Sequence, residues 1–165
     1  MNKSNCLTAF VLFLSVLMTA CSTTKGLSKE ERAAKEVEIR EAIENRHFVV
    51  EVDRAIPMGG RSFPLTSPYS LTINGDEVKS YLPFFGRVYS VPYGGGDGLI
   101  FNSTITDFQS TFDKKGDVIV KFKTKSEDDR LQYMLHIHLN SYTSINVTSV
   151  NRQSISFIGK TYRAK

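Results

Sequence analysis

Strict alternation of apolar and polar residues after His47 is the sequence feature that most constrains the fold. The longest alternating stretch places Leu131, Tyr133, Leu135, Ile137 and Leu139 at every second position. A period of two is typical of strands with one buried face and one solvated face. Turn-forming residues separate the stretches at Asn74-Gly75, 115–117, Asp128-Asp129 and Asn140-Ser141. The pattern predicts about eight or nine antiparallel strands with short connections.

Consecutive strands with short connections form a meander, and closing a meander removes its exposed edges. The chain is therefore predicted to be mainly β, with residues 47–165 forming a small lipocalin-like β-barrel. A two-sheet β-sandwich is the alternative. The alternation changes phase between Ile105 and Phe108, which predicts a β-bulge near Thr106.

One helix is predicted before the strands, over residues 28–46. Ser28 and Glu31 have the spacing of a capping box, in which each side chain bonds the other residue's backbone N–H. The apolar side chains of this segment do not form a clean stripe. We therefore expect a mostly solvated helix that packs shallowly on the domain or acts as a spacer. A partner-binding helix is the alternative.

Residues 1–20 have the pattern of an export signal. An apolar run over residues 7–18 follows Lys3, and it is shorter than the about 20 helical residues that span a bilayer. The sequence Met18-Thr19-Ala20-Cys21 then resembles a bacterial lipoprotein box. This resemblance implies cleavage before Cys21, acylation of that residue with diacylglycerol and a fatty acid such as palmitate, and a lipidated tether over 21–27. Ordinary cleavage that leaves a free thiol is the alternative.

The residues after Cys21 bear on the location of the mature protein. Residue 22 is serine rather than aspartate, and no acidic residue precedes Glu30. We therefore expect a lipoprotein of the outer membrane that faces the periplasm, with the bilayer as its partner through acylated Cys21. The formal net charge of +4 is small and scattered, so no nucleic-acid partner is expected.

The sequence lacks the motifs of common catalytic sites. Cys6 lies in the signal, so the folded domain offers no cysteine nucleophile and no zinc–thiolate site. Neither a Gly-x-Ser-x-Gly elbow nor a His-Glu-x-x-His helix occurs. Glu51 and Asp53, which share a strand face, and the acidic turn 127–129 are interpreted as solvated surface. We expect no enzyme activity and no cofactor.

Two segments depart from alternation, 56–67 and 81–98. The second, YLPFFGRVYSVPYGGGDG, combines aromatic residues and an arginine with a glycine run. Aromatic rings and arginine dominate binding hot spots, and glycine N–H groups can hold an anion. We predict a ligand or partner rim formed by Tyr81, Phe84, Phe85, Arg87, Tyr89, Tyr93, Gly94, Gly95, Gly96, Asp97 and Gly98. The alternative is a structural loop over the barrel opening, with its rings in the core.

Adjacent strand residues face opposite ways, so one of Phe84 and Phe85 is predicted to be buried and the other to face the opening. Tyr89 and Tyr93 are predicted to be more exposed.

His136 and His138 have the spacing of metal ligands on one strand face, where they could chelate zinc or copper. Nothing nearby in the sequence supplies a third ligand, and His47 is the only other histidine. The pair is therefore interpreted as two polar positions on a solvated face, and no metal is expected.

Two segments carry a resemblance to a known family. They are EVDRAIPMGGRSFPLTSPYSLTINGDEVKSYLPFFGRVYSVPYGGGDGLIF, over 51–101, and NRQSISFIG, over 151–159. Both resemble domain-of-unknown-function family 4251, which is found in Bacteroides-type bacteria. In this family the domain usually lies after a lipoprotein signal peptide. The resemblance covers about residues 30–162. It implies a β-barrel-like domain and supplies no activity, cofactor or catalytic residue.

The function predicted from these features is a non-catalytic binding lipoprotein that holds a small or amphipathic ligand near the barrel opening. The alternative is a protein-interaction or inhibitor module that uses the same aromatic segment as a flat patch. A wide apolar cavity would favour the first prediction, and a filled barrel with exposed rings would favour the second.

Overall fold

A closed barrel of eight antiparallel strands follows one α-helix in the computed structural model of the protein, which describes residues 28–89, 98–114, 116–126 and 129–164. The predicted signal and the tether lie outside these residues. Helix α1 covers Lys29–Glu44. The strands are β1 (His47–Pro57), β2 (Phe63–Asn74), β3 (Glu77–Leu82), β4 (Leu99–Phe112), β5 (Val118–Lys125), β6 (Arg130–Ile137), β7 (Tyr142–Ser149) and β8 (Ile155–Arg163).

Each strand pairs with its neighbours in sequence, and β8 pairs with β1 to close the barrel. The predicted meander barrel is therefore confirmed, and the sandwich alternative is wrong. At the β1–β8 seam, Gly159 pairs with Val52, and a Cβ on Gly159 would overlap the backbone of Glu51. The close approach of the two strands requires glycine there.

The predicted bulge in β4 is confirmed. The register with β5 shifts between Thr106 and Gln109, and Asp107 adopts a left-handed φ of 54°. A residue in this conformation cannot continue the pleat, so the side chains that follow it change phase.

Most of segment 56–67 is extended, although its sequence does not alternate. The pairing of β1 with β2 passes from Val52↔Tyr69 to Arg54↔Pro64, so β2 contains extra residues over this span. These residues interrupt the regular register, which explains why the alternation is lost there.

Side chains fill the barrel interior. The largest that are fully buried are Tyr133, Phe48, Phe122, Phe157, Ile43 and Leu71. Tyr133 stacks on Phe122 with 4.9 Å between ring centroids, and its hydroxyl lies 3.2 Å from the Ser80 hydroxyl. Burial raises the pKa of Tyr133. Within the described ranges, every buried polar side-chain atom has a hydrogen-bond partner.

Helix α1 closes one end of the barrel, here called the helix end, together with the β2–β3, β4–β5 and β6–β7 turns. The predicted capping box is present: the Ser28 N–H donates to Glu31 at 2.8 Å, and the Glu31 N–H donates to the Ser28 hydroxyl at 3.1 Å. Ile39, Ala42 and Ile43 are buried against the barrel. The C-terminal half of the helix therefore packs more deeply than its sequence predicts.

The opposite end, here called the rim end, carries the β1–β2, β3–β4, β5–β6 and β7–β8 connections. The aromatic segment belongs to the β3–β4 connection. In the described part of the chain, none of the helices has the length and apolar character needed to cross a bilayer.

Candidate functional site

Residues 83–89 cross the rim end of the barrel, from β3 to the connection between β7 and β8. The Tyr89 N–H donates to the Asn151 carbonyl at 2.7 Å, and the Gln153 N–H donates to the Arg87 carbonyl at 3.0 Å. The Arg87 N–H in turn donates to the Gln153 side chain at 3.0 Å. Because β3 and β7 lie on opposite sides of an eight-stranded barrel, these bonds hold the segment across its opening.

A buried ion pair anchors this crossing segment. Arg152 Nε donates to Asp129 Oδ2 at 3.1 Å, and the two side chains are 9% and 1% exposed. Arg152 also donates to the Gly98 carbonyl at 2.8 Å and lies over the Phe84 ring at 5.2 Å. One guanidinium thereby joins the β5–β6 and β7–β8 connections to both ends of the aromatic segment.

The burial of Asp129 corrects the interpretation of turn 127–129 as a solvated hairpin tip; residues 127 and 128 lie outside the described ranges. A buried guanidinium needs a partner charge, and Asp129 supplies it. The Ser149 hydroxyl donates a further hydrogen bond of 2.5 Å to the same carboxylate.

The described aromatic rings of the segment differ in exposure, but neither Phe84 nor Phe85 is fully buried, so the predicted split between them is only partial. Phe84 is half-buried and packs against the core, whereas Phe85 is 37% exposed and packs edge-on against Phe63, with 4.6 Å between centroids. Tyr89 is 67% exposed. Tyr81 is exposed on β3 and contacts the half-buried Tyr69 at 5.4 Å. The rim end therefore presents several rings to solvent beside the exposed Arg87.

The structure describes only part of the predicted rim. Gly98 returns the chain to β4 with a φ of +82°, and a Cβ there would lie 3.1 Å from the Leu82 carbonyl oxygen and the Phe84 nitrogen. Glycine is required at this position. The remaining predicted rim residues, Tyr93, Gly94, Gly95, Gly96 and Asp97, lie outside the described residues, as does Cys21.

Comparison with known proteins identifies the family. The family model for a domain of unknown function, DUF4251, matches residues 30–161. The chain belongs to the DUF4251 family. Its structure is similar to the crystal structure, at 1.95 Å resolution, of a DUF4251 family protein from Bacteroides eggerthii DSM 20697. The TM-score is 0.65 at 20% identity, over 80% of this chain and 91% of that chain. This likeness establishes the shared fold alone. The search of curated proteins gave no match.

Sequence reasoning on this DUF4251 domain missed the anchoring pair. Arg152 lies in the family-like segment 151–159, but no local pattern assigns a partner to it. Asp129 looks like an ordinary hairpin residue in sequence. Since 23 positions separate the two residues, only the strand arrangement brings them together.

A second polar cluster of the DUF4251 domain lies at the helix end. Asp117 Oδ2 is 2.8 Å from His138 Nδ1, and the rings of His136 and His138 meet edge-on at 4.5 Å. Burial opposes ionisation of Asp117, but the hydrogen bond and charge of His138 hold the pKa of Asp117 below its ordinary value. His47 does not join the cluster, because it contacts Asn74 at 3.1 Å.

The strand register could have revealed Asp117 as a neighbour of the histidines. Val118 pairs with Ile137, so continuing the register by one residue sets Asp117 opposite His138. The hairpin turn predicted at Asp128-Asp129 implies this pairing of β5 with β6, which extends back to the start of β5.

Proposed function

We propose that this DUF4251 protein is an exported lipoprotein whose barrel is a non-catalytic binding module for a protein or peptide. The partner contacts the exposed aromatic rings of the rim end. The observation that carries this proposal is the filled interior of the barrel, combined with the exposed rings of Tyr81, Phe85 and Tyr89 outside it. A filled barrel favours surface contact over enclosure of a small or amphipathic ligand.

The way the rim segment is fixed supports this assignment. Its backbone is bonded to residues 151–153, and Arg152 fixes it at two further points. A surface that is ordered before binding loses less conformational entropy on association. Aromatic rings beside an arginine are also the side chains that supply most binding energy in protein interfaces.

A lipid anchor at Cys21 would orient the barrel relative to the bilayer. The predicted tether 21–27 reaches at most about 25 Å when fully extended, and it leads directly to α1, which packs at the helix end. A lipid on Cys21 would therefore leave the rim end facing away from the bilayer. We propose the periplasmic face of the outer membrane as its location, because residue 22 is serine and no acidic residue precedes Glu30.

Site-specific photo-crosslinking tests the binding surface. A benzophenone amino acid replaces Tyr89 or Phe85 at the rim end, or Tyr142 or Tyr162 at the helix end, where the two tyrosines are 41% and 44% exposed. After irradiation of intact cells, we expect one discrete protein adduct from the rim positions and none from the matched control positions. Equal adducts at both ends would contradict the proposal.

Native mass spectrometry of the purified full chain tests the alternative, in which the protein binds a small ligand rather than a protein or peptide. If the wild type retains a stoichiometric small molecule and Phe85→Ala loses it, the binding partner is a small ligand and not a protein. No retained small molecule is expected.

Radioactive palmitate tests the anchor. The wild type and Cys6→Ser should both incorporate label, since Cys6 lies in the signal, and Cys21→Ser should incorporate none. Label in Cys21→Ser at the wild-type level would remove the lipoprotein assignment without affecting the crosslinking result.

A further inference from the structure

Three potential metal ligands converge at the helix end of the barrel, far from the rim. The donor atoms of Asp117, His136 and His138 all lie within 4.8 Å of one another. His136 lies near the end of β6 and His138 directly follows that strand, whereas Asp117 directly precedes the paired strand β5. We propose that these three residues bind a divalent transition-metal ion of the zinc or copper class.

The types of donor fit that class of ion. Imidazole nitrogen suits zinc and copper, and one carboxylate lowers the net charge of the complex. Metal–donor bonds of about 2.0–2.2 Å place tetrahedral donors about 3.4 Å apart. Asp117 Oδ2 and His138 Nδ1 are 2.8 Å apart here, and the donor atoms of all three residues lie within 4.8 Å of one another. Small rotations of half-buried side chains therefore complete the geometry.

The surrounding backbone holds Asp117 in position. The Asp117 N–H donates to the Asp113 carboxylate at 2.9 Å, and the Asp113 N–H donates to the Asp117 carbonyl at 2.9 Å. The Leu139 N–H approaches Asp117 Oδ1 at 3.4 Å, which leaves Oδ2 directed at His138. These bonds fix the carboxylate beside the imidazole before any ion arrives.

The cluster is open to solvent along one side. An open groove of about 740 Å³ is lined by Asp117 and His138 together with residues of α1 and β8. Water can therefore occupy the remaining coordination positions of a bound ion. The groove also carries Arg32, Lys35, Glu36 and Lys160, so its charge is mixed rather than uniformly acidic. Selectivity for the ion must come from the imidazoles, not from a general negative field.

A simple ion pair between Asp117 and His138 is the competing explanation of the cluster. It gives no role to His136, which lies in the same group and contacts the His138 ring. An ion pair alone predicts that removing His136 changes nothing, whereas a metal site predicts that all three residues contribute to affinity.

Calorimetric titration with zinc chloride tests the site. The full chain is purified with a tag that contains no histidine, washed with a chelator and then exchanged into chelator-free buffer. We expect one zinc ion per chain. His136→Gln, His138→Gln and Asp117→Asn should each weaken binding by at least about tenfold. His47→Gln is the matched control and should bind as the wild type. All variants have the same cysteine content, so thiol binding cannot explain a difference between them.

A measurement on the wild type alone covers the case in which a variant fails to fold. Diethyl pyrocarbonate modifies free imidazoles, and mass spectrometry of the digest reports each histidine separately. Zinc should protect His136 and His138 and leave His47 unprotected. Equal modification of His136 and His138 with and without zinc, or titration curves that are the same in all four variants, would overturn the proposal.

Discussion

The two ends of the barrel are closed by different physical means. At the helix end, a regular helix places Ile39, Ala42 and Ile43 against the core, and Arg40 and Arg46 cover Phe112 and Phe108 at 4.7 and 4.4 Å. At the rim end, an irregular segment is held by backbone hydrogen bonds and one buried ion pair. Apolar closure adds up from many small contacts, whereas polar closure depends on a few groups that must all be satisfied.

This difference predicts where the molecule is most sensitive to a single substitution. Truncating one apolar side chain at the helix end removes only some of the contacts between α1 and the barrel, and neighbouring side chains keep the others. Losing either member of the rim ion pair leaves a buried charge without its partner, and every segment that Arg152 joins is affected. The rim should therefore be the more fragile closure.

The largest effect is expected from Asp129→Ala. Removing the carboxylate leaves Arg152 buried and uncompensated, which lowers the free energy of unfolding by about 3–5 kcal/mol. Urea denaturation measures the change. The matched control is Asp76→Ala, which breaks the exposed Arg46–Asp76 pair at the helix end. Solvent screens that pair, so its loss should change stability by about 1 kcal/mol or less. Similar losses in both variants would show that the buried pair of the rim end contributes no more to stability than an exposed pair.

A smaller but clear effect is expected from Ile43→Ala at the helix end. Ile43 is fully buried, so its truncation leaves a cavity. Because neighbouring side chains still pack α1 on the barrel, the free energy of unfolding should fall by about 2–3 kcal/mol, the lower part of the range for such truncations. Val37 is exposed on the same helix and serves as control. Val37→Ala should change stability by about 0.5 kcal/mol or less. A loss at Ile43 as small as that at Val37 would mean that α1 does not seal the barrel.

The smallest changes in stability are expected when the aromatic rings of the rim are replaced, and their size should differ from ring to ring. Phe84→Ala should cost less than the about 3–5 kcal/mol of a fully buried ring, because Phe84 is only half-buried. Phe85→Ala should cost less still, and Tyr89→Ala should stay within about 0.5 kcal/mol while weakening the crosslinked partner. Thermal melting and crosslinking are measured on the same variants. Strong destabilisation by Tyr89→Ala would make the segment structural rather than a binding surface.

The features that sequence predicted are those encoded by neighbouring residues. Alternation located the strands, Ser28 and Glu31 located the helix start, and the phase change located the bulge beside Asp107. The features that it missed depend on residues that are distant in sequence. Asp129 and Arg152 are 23 positions apart, and Asp117 and His138 are 21 positions apart. The type of a charged side chain does not by itself indicate which distant residue it will pair with in the folded protein.

The β1–β8 seam also sets the order in which the barrel can be completed. The other strand pairs join neighbours in sequence, but Phe48 pairs with Arg163 across most of the chain. Contacts at such separation slow folding, because the chain loses the entropy of loop closure before the contact forms. Until β8 docks, β1 and β7 each present an unpaired edge that can recruit another chain. We therefore expect closure of the seam to limit the folding rate and to set the interval during which the nascent barrel is vulnerable to aggregation.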